Sequence, residues 1–190
     1  MDSNTYPKEE EEDLTTDPLI EVVVDSLQMH MPSGHHLVLL KQKDARRYLP
    51  IWIGPTEAIA IRNKLTNTPT KRPLTHDLMA NAIRELGITM VRVVISEVKD
   101  ETYHSRLFLA LNGREVELDA RSSDCVALAL RLDCPLFAMA SVLDQAGVVP
   151  GRKLNGQVTS EKPSEEERLA VFRELVNNLD LPAFPDEPKS

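Results

Sequence analysis

The chain has 190 residues, 42% of them hydrophobic, enough for one ordinary domain that closes a core without disulfides or metal. Its two cysteines, Cys125 and Cys134, are too few and wrongly spaced for a zinc site or disulfide framework and suggest a reducing cytosol. No apolar run approaches the roughly 20 residues of a membrane span, and Met1-Asp2-Ser3-Asn4 is too polar for a signal peptide, which argues against membrane insertion and secretion.

The net charge of −8 is unevenly spread. Residues 1–18 carry −6, residues 161–190 carry −4, and the stretch between them carries +2. That central part is near neutral, so a nucleic-acid partner is possible although no basic stripe marks a dedicated binder. One Trp, three Tyr and four Phe are also few for a surface that stacks single-stranded bases.

Residues 1–18, with Lys8 followed by Glu9 to Asp13, have the composition of a disordered acidic arm. Short apolar runs then predict strands over Leu19–Leu27, His36–Lys41 and Tyr48–Ile53, with turns at Pro32-Ser33-Gly34 and Lys43–Arg47. Pro55 suits the first turn of a helix running to about Leu65. A proline-punctuated loop, residues 66–74, precedes a helix over Thr75–Leu86 with Thr75 as N-cap and Gly87 closing it. Leu78, Ala82 and Leu86 form its apolar stripe, with Met79 and Ile83 beside it.

Strands recur at Met90–Val98 and Tyr103–Leu111, turned at Asp100-Glu101. Asn112-Gly113 marks a type I′ hairpin. The next strand alternates Val116, Leu118 and Ala120 with Glu115, Glu117 and Asp119. Ser122 or Ser123 caps a helix over Asp124–Leu132, and a strand at Leu136–Met139 and a short helix at Val142–Ala146 complete the domain, 19–149. Residues 150–163 read as a linker. Residues 164–180 read as an amphipathic helix opened by a Ser164/Glu167 capping box, its apolar stripe (Leu169, Phe172, Leu175, Val176, Leu179) docking on this chain or a symmetry mate. Residues 181–190 are a tail.

The order strand, strand, strand, helix occurs twice, offset by about 67 residues, with Ala60/Ala127 and Leu65/Leu132 identical in the two helices. This predicts an internally duplicated α+β fold, a mostly antiparallel or mixed sheet with helices on one side.

No phosphate-binding glycine loop, Gly-x-Ser-x-Gly elbow, His-Glu-x-x-His or paired Cys-x-x-Cys is present. Polar residues gather instead at element ends, in three blocks. Leu49-Pro50-Ile51-Trp52-Ile53-Gly54 is followed by Glu57-Ala58. Arg72-Pro73-Leu74-Thr75-His76-Asp77-Leu78 comes next, and Asp119-Ala120-Arg121-Ser122-Ser123-Asp124 precedes Ala127-Leu128-Ala129. In this order, over roughly residues 20–148, the blocks resemble the bifunctional nuclease domain family, although Ser122 stands where that family usually has proline.

The resemblance implies a nuclease acting on DNA and RNA. Phosphodiester cleavage needs an activated water, neutralised phosphate charge and an acid for the leaving oxygen. Glu57, Asp119 and Asp124 would then hold a divalent cation, most naturally Mg²⁺ or Mn²⁺. His76, Asp77, Asp119 and Asp124 are the catalytic candidates, His76 as base or acid near neutral pH. Lys71, Arg72 and Arg121 are the candidate phosphate contacts.

Each residue also has a structural reading. Glu57, Asp77 and Asp124 fall in first helical turns, where a carboxylate gains about 0.3–1 kcal/mol from the helix dipole without any chemistry. Arg121 suits a neighbouring carboxylate as well as a phosphate, and Trp52 suits core packing. Two functions therefore compete: a cytoplasmic, metal-assisted nuclease of low sequence specificity, homo-oligomeric, or a non-catalytic oligomeric adaptor. Clustering of Glu57, Asp119 and Asp124 within reach of one cation separates them.

Overall fold

The computed structural model describes residues 17–30 and 34–149. The expected linker, C-terminal helix and tail, most of the acidic arm, and the turn residues Pro32 and Ser33 lie outside the described residues. Strands β1 (Leu19–His30), β2 (His35–Gln42) and β3 (Tyr48–Ile53) form an antiparallel meander that leads into helix α1 (Pro55–Leu65), and helix α2 (Thr75–Glu85) follows. A second meander, β4 (Thr89–Lys99), β5 (Thr102–Leu111) and β6 (Arg114–Arg121), leads into α3 (Ser122–Leu132). Strand β7 (Leu136–Met139) and helix α4 (Ala140–Ala146) are the last of the described elements.

The seven strands form one sheet in the order β3-β2-β1-β7-β4-β5-β6. β7 runs antiparallel to β1 and parallel to β4, so β1 and β4 run in opposite directions on its two flanks. A two-fold axis through β7, perpendicular to the sheet, produces this relation. The expected α+β duplication is thus visible as matching strand order. α1 and α3 both have 11 residues, and Pro55 and Ser122 share the first helical position.

Proline fits that position because the first helical N–H needs no intrahelical partner. Ser122 is therefore not the cap expected from sequence; Arg121 is the N-cap. The Ser122 hydroxyl shares a 2.6 Å hydrogen bond with Ser105 Oγ and lies 3.1 Å from the Tyr103 carbonyl oxygen, fastening the start of α3 to β5.

Val22, Leu40, Leu49, Val93, Ile95 and Leu107 are buried in the sheet against α1 and α3. Cys125, Val126, Ala127, Leu128 and Ala129 are all buried, making α3 the central helix. Helix α2 departs from expectation. Leu74, rather than Thr75, is its N-cap, and Leu78, Met79, Ala82 and Leu86 are exposed. His76, Ala80 and Ile83 are buried instead, because polar contacts of the first turn set the rotation of the helix.

Those contacts centre on Arg131, buried on α3. Its Nε donates to Asp77 Oδ1 at 2.6 Å, Nη1 to the Ala127 carbonyl at 2.8 Å and Nη2 to the Ala60 carbonyl at 3.1 Å. Asp77 Oδ2 also accepts the Leu74 N–H at 2.8 Å. One guanidinium thus joins α1, α2 and α3.

The Pro18 carbonyl accepts the Ala140 N–H at 3.0 Å, and the Asp17 carboxylate accepts hydrogen bonds from Ser141, so both residues are fastened to the start of α4. None of the described helices is long and apolar enough to cross a membrane.

The Asn112-Gly113 turn has φ of 51° and 75°, as a type I′ turn requires. Asp100 and Glu101 turn the β4–β5 hairpin with φ of 47° and 60°, a region where a side chain costs about 1–2 kcal/mol. Replacing Glu101 with glycine should therefore raise stability by about 1 kcal/mol in urea unfolding, after glycine's greater chain entropy is discounted.

Replacing Arg131 with alanine should cost about 3 kcal/mol in the same assay, because a carboxylate and two carbonyls lose their partner together. Burial raises the Asp77 pKa, but hydrogen bonds from Arg131 and the Leu74 N–H outweigh it, leaving the carboxyl below its ordinary value. Its contribution to stability is therefore complete above about pH 4 and drains away as the pH falls through the folded-state pKa. An Asp77→Asn variant should show a shallower acid decline than wild type in pH-dependent melting.

Candidate active site

The two meanders deliver the starts of α1 and α3 to one place. Both N-caps, Gly54 and Arg121, are extended, and each helix carries a carboxylate at its third residue: Glu57 on α1 and Asp124 on α3. Arg121 binds both. Its Nε donates to Asp124 Oδ2 at 2.7 Å, and its Nη2 donates to Asp124 Oδ1 at 3.0 Å and Glu57 Oε1 at 2.9 Å. The arginine side chain is 68% exposed, whereas those of Glu57 and Asp124 are 14% and 28% exposed. The cation therefore lies outermost.

Gly54 makes room for this arrangement. A Cβ there would collide with the Glu57 carboxylate, so any other residue displaces that side chain. The backbone at Gly54, with φ of −69°, is accessible to all residues, so the need is for space rather than an unusual conformation.

His76 joins from α2, its Nε2 2.9 Å from Asp124 Oδ1. It is 9% exposed, so Asp124 lies between a largely buried imidazole and an exposed guanidinium. Burial raises the Asp124 pKa, but hydrogen bonds from Arg121 and His76 outweigh it and hold the carboxyl below its ordinary value. In return Asp124, ahead of Glu57, raises the Arg121 pKa. With a neutral histidine the group carries one net negative charge.

Other candidates from sequence lie elsewhere. Both Asp77 oxygens are engaged by Arg131 and Leu74, which makes it a structural anchor. Asp119 is exposed on β6, facing Arg106 across the ladder, and stays outside the Arg121 network. Alternation along β6 groups it with Glu115 and Glu117. Lys71 and Arg72 are exposed in the loop before α2. Burial pushes the Cys125 thiol up to about 12 and the Cys134 thiol up to about 11, so neither is poised as a nucleophile.

The expected three-carboxylate cluster is therefore not assembled. Among the described residues no three His, Cys, Asp or Glu side chains form a metal-ligand set. The geometry offers a divalent cation the pair Glu57 and Asp124, with Arg121 now bound to both.

Sequence reasoning overlooked Gly54 and Arg131. The 67-residue offset, which superimposes Glu57 on Asp124, also superimposes Gly54 on Arg121. It thereby marks the only one of the two N-caps with a side chain that can reach both acids.

The sequence profile of the bifunctional nuclease domain matches residues 38–150. The chain is 34% identical over 164 residues to an uncharacterized protein of Mycobacterium tuberculosis (strain ATCC 25618 / H37Rv), spanning 86% of this chain and 98% of that protein. It is 31% identical over 114 residues to Bifunctional nuclease 1 of Oryza sativa subsp. japonica, covering 58% of this chain and 34% of the rice protein. Bifunctional nuclease 2 of Arabidopsis thaliana is 23% identical over 155 residues, covering 79% of this chain and 46% of the plant protein. The profile spans more than half of the chain and contains all three polar blocks, and the chain therefore belongs to the bifunctional nuclease domain family.

Proposed function

We propose that this protein is a nuclease of low sequence specificity that hydrolyses phosphodiester bonds in DNA and RNA, working in the cytoplasm with Mg²⁺ or Mn²⁺. The observation that carries this reading is the convergence of Glu57 and Asp124 on one exposed arginine, with His76 bonded to Asp124 from the buried side, in a chain whose family includes plant proteins named bifunctional nucleases.

Arg121 recognises the phosphate. Nε and Nη2 hold the two carboxylates, leaving Nη1 for a phosphate oxygen. Glu57 and Asp124 would hold the divalent cation, which when bound supplies charge neutralisation and a more acidic water. His76 acts through Asp124 as a positioning residue, fixing the carboxylate from its buried side. Two buried free thiols suit a reducing cytoplasm.

A second reading has its own support. The Arg121 network also works as a brace between two helix starts, since every carboxylate in it already has a partner. The exposed apolar residues Leu78 and Leu86 of α2 suit a homo-oligomeric adaptor.

Cleavage of plasmid and RNA by protein free of host nucleases, with and without chelator, separates the two. Asp124→Asn should reduce cleavage about 100-fold, roughly 3 kcal/mol of barrier, whereas Asp119→Asn should change it less than about threefold. Gly54→Ala should lower activity with little change in melting temperature, because it displaces the Glu57 carboxylate while leaving the backbone at ease. Wild-type protein that cleaves nothing with either cation overturns the nuclease reading and favours the brace.

A further inference from the structure

Beside the Arg121 network lies a cavity of about 890 Å³, which the cleavage scheme above touches only at Arg121. It lies between the edge strand β3, the β4–β5 hairpin, the start of α3 and the residues that follow α4. Its volume is in the upper part of the range of about 300–1,000 Å³ typical of small-molecule sites. Trp52, Tyr103 and His36 line it, and Arg121 and Ser123 form its border with the carboxylates.

These residues have a common chemistry. Trp52 and Tyr103 supply large aromatic surface, and base–aromatic contact is worth about 1–3 kcal/mol per base whatever the sequence. His36 adds hydrogen-bonding capacity: its Nδ1 is the buried side-chain nitrogen or oxygen without a partner among the described residues. Such a group carries a cost that a ligand can relieve once the ring turns toward it. Arg121 belongs to both sites and, among the described residues, is the arginine that bonds both carboxylates.

We propose that this cavity receives one unpaired nucleobase of the substrate, placing the adjoining phosphate on Arg121. The inference rests on the nuclease reading for its substrate class, and it makes single-stranded or locally opened nucleic acid the preferred form. A base held in a duplex is stacked and paired and cannot enter a recess of this kind without leaving the helix. The few aromatic residues argue against an extended stacking track, but two of the eight line this recess. One captured base accounts for cleavage without sequence preference, since every base has an aromatic face.

Trp52 is the only tryptophan in the chain, so its fluorescence reports on the cavity directly. The full chain is titrated with adenosine 5′-monophosphate, with a short oligothymidylate, and with its duplex on oligoadenylate, each with Mg²⁺. The mononucleotide and the single strand should change Trp52 emission saturably, and the duplex should not. Val98→Phe, which fills the cavity from the β4–β5 hairpin, should weaken the response about tenfold or more. Ser123→Phe fills it from α3 and replaces Val98→Phe if that variant does not fold.

An unchanged emission with the mononucleotide and the single strand overturns the proposal. So does an equal response to duplex, or undiminished affinity in a folded cavity-filling variant. Cleavage and binding can fail separately. Saturable quenching without hydrolysis keeps the cavity and removes the nuclease reading, whereas hydrolysis without any Trp52 response does the opposite.

Discussion

Two helices that begin at the same place set the central electrostatic constraint of this protein. The N-terminal ends of α1 and α3 each carry partial positive charge from unpaired backbone N–H groups. Glu57 and Asp124 offset those ends, but two carboxylates brought together repel each other in turn. Arg121 resolves this by bonding both. The order of layers follows: backbone dipoles inside, carboxylates next, and one arginine outermost. The buried His76 then fixes Asp124 from behind, and the fold acquires a charged constellation whose exposed member is an arginine.

Much of the architecture was legible in the sequence because its signals are local. Asn112-Gly113 specifies its turn whatever surrounds it, and Pro55 announces a helix start by its missing N–H. The duplication was visible because element order survives where residue identity does not. Helix α2 was harder to read. A period of 3.6 identifies an amphipathic helix, but Leu78-Ala82-Leu86 and His76-Ala80-Ile83 are both helical stripes. The buried Arg131, reaching Asp77 from another helix, selects between them. Tertiary polar contacts of that kind leave no periodic trace.

The site was legible in the same uneven way. Glu57, Arg121, Asp124 and His76 all lie in the blocks at element ends, and the structure brings them together. Asp119 shares a block with Arg121, yet strand alternation aligns it with Glu115 and Glu117 on the exposed ladder. Proximity in sequence across a strand-to-helix junction is a poor guide to shared chemistry, because the chain changes direction there. Arg131 stands in the last turn of α3, where any lysine or arginine stabilises a helix C-terminus, so its position alone does not single it out. Its burial depends on α1 and α2 meeting over it, which no window of sequence shows.

The placement of β7 has a consequence for the order in which the chain folds. Among the described residues the two meanders share no ladder with each other, and this four-residue strand links them in the sheet. Its partners on β1 lie 114 to 120 residues earlier, so the sheet cannot close until nearly the whole domain has left the ribosome. Each meander, built from neighbouring hairpins, is rich in short-range contacts and suited to early formation. The inner edges of β1 and β4 stay unpaired until β7 arrives, and exposed edges of that kind invite pairing with other chains. Brevity serves β7 here: four residues slot between two preformed edges with little chain left to order.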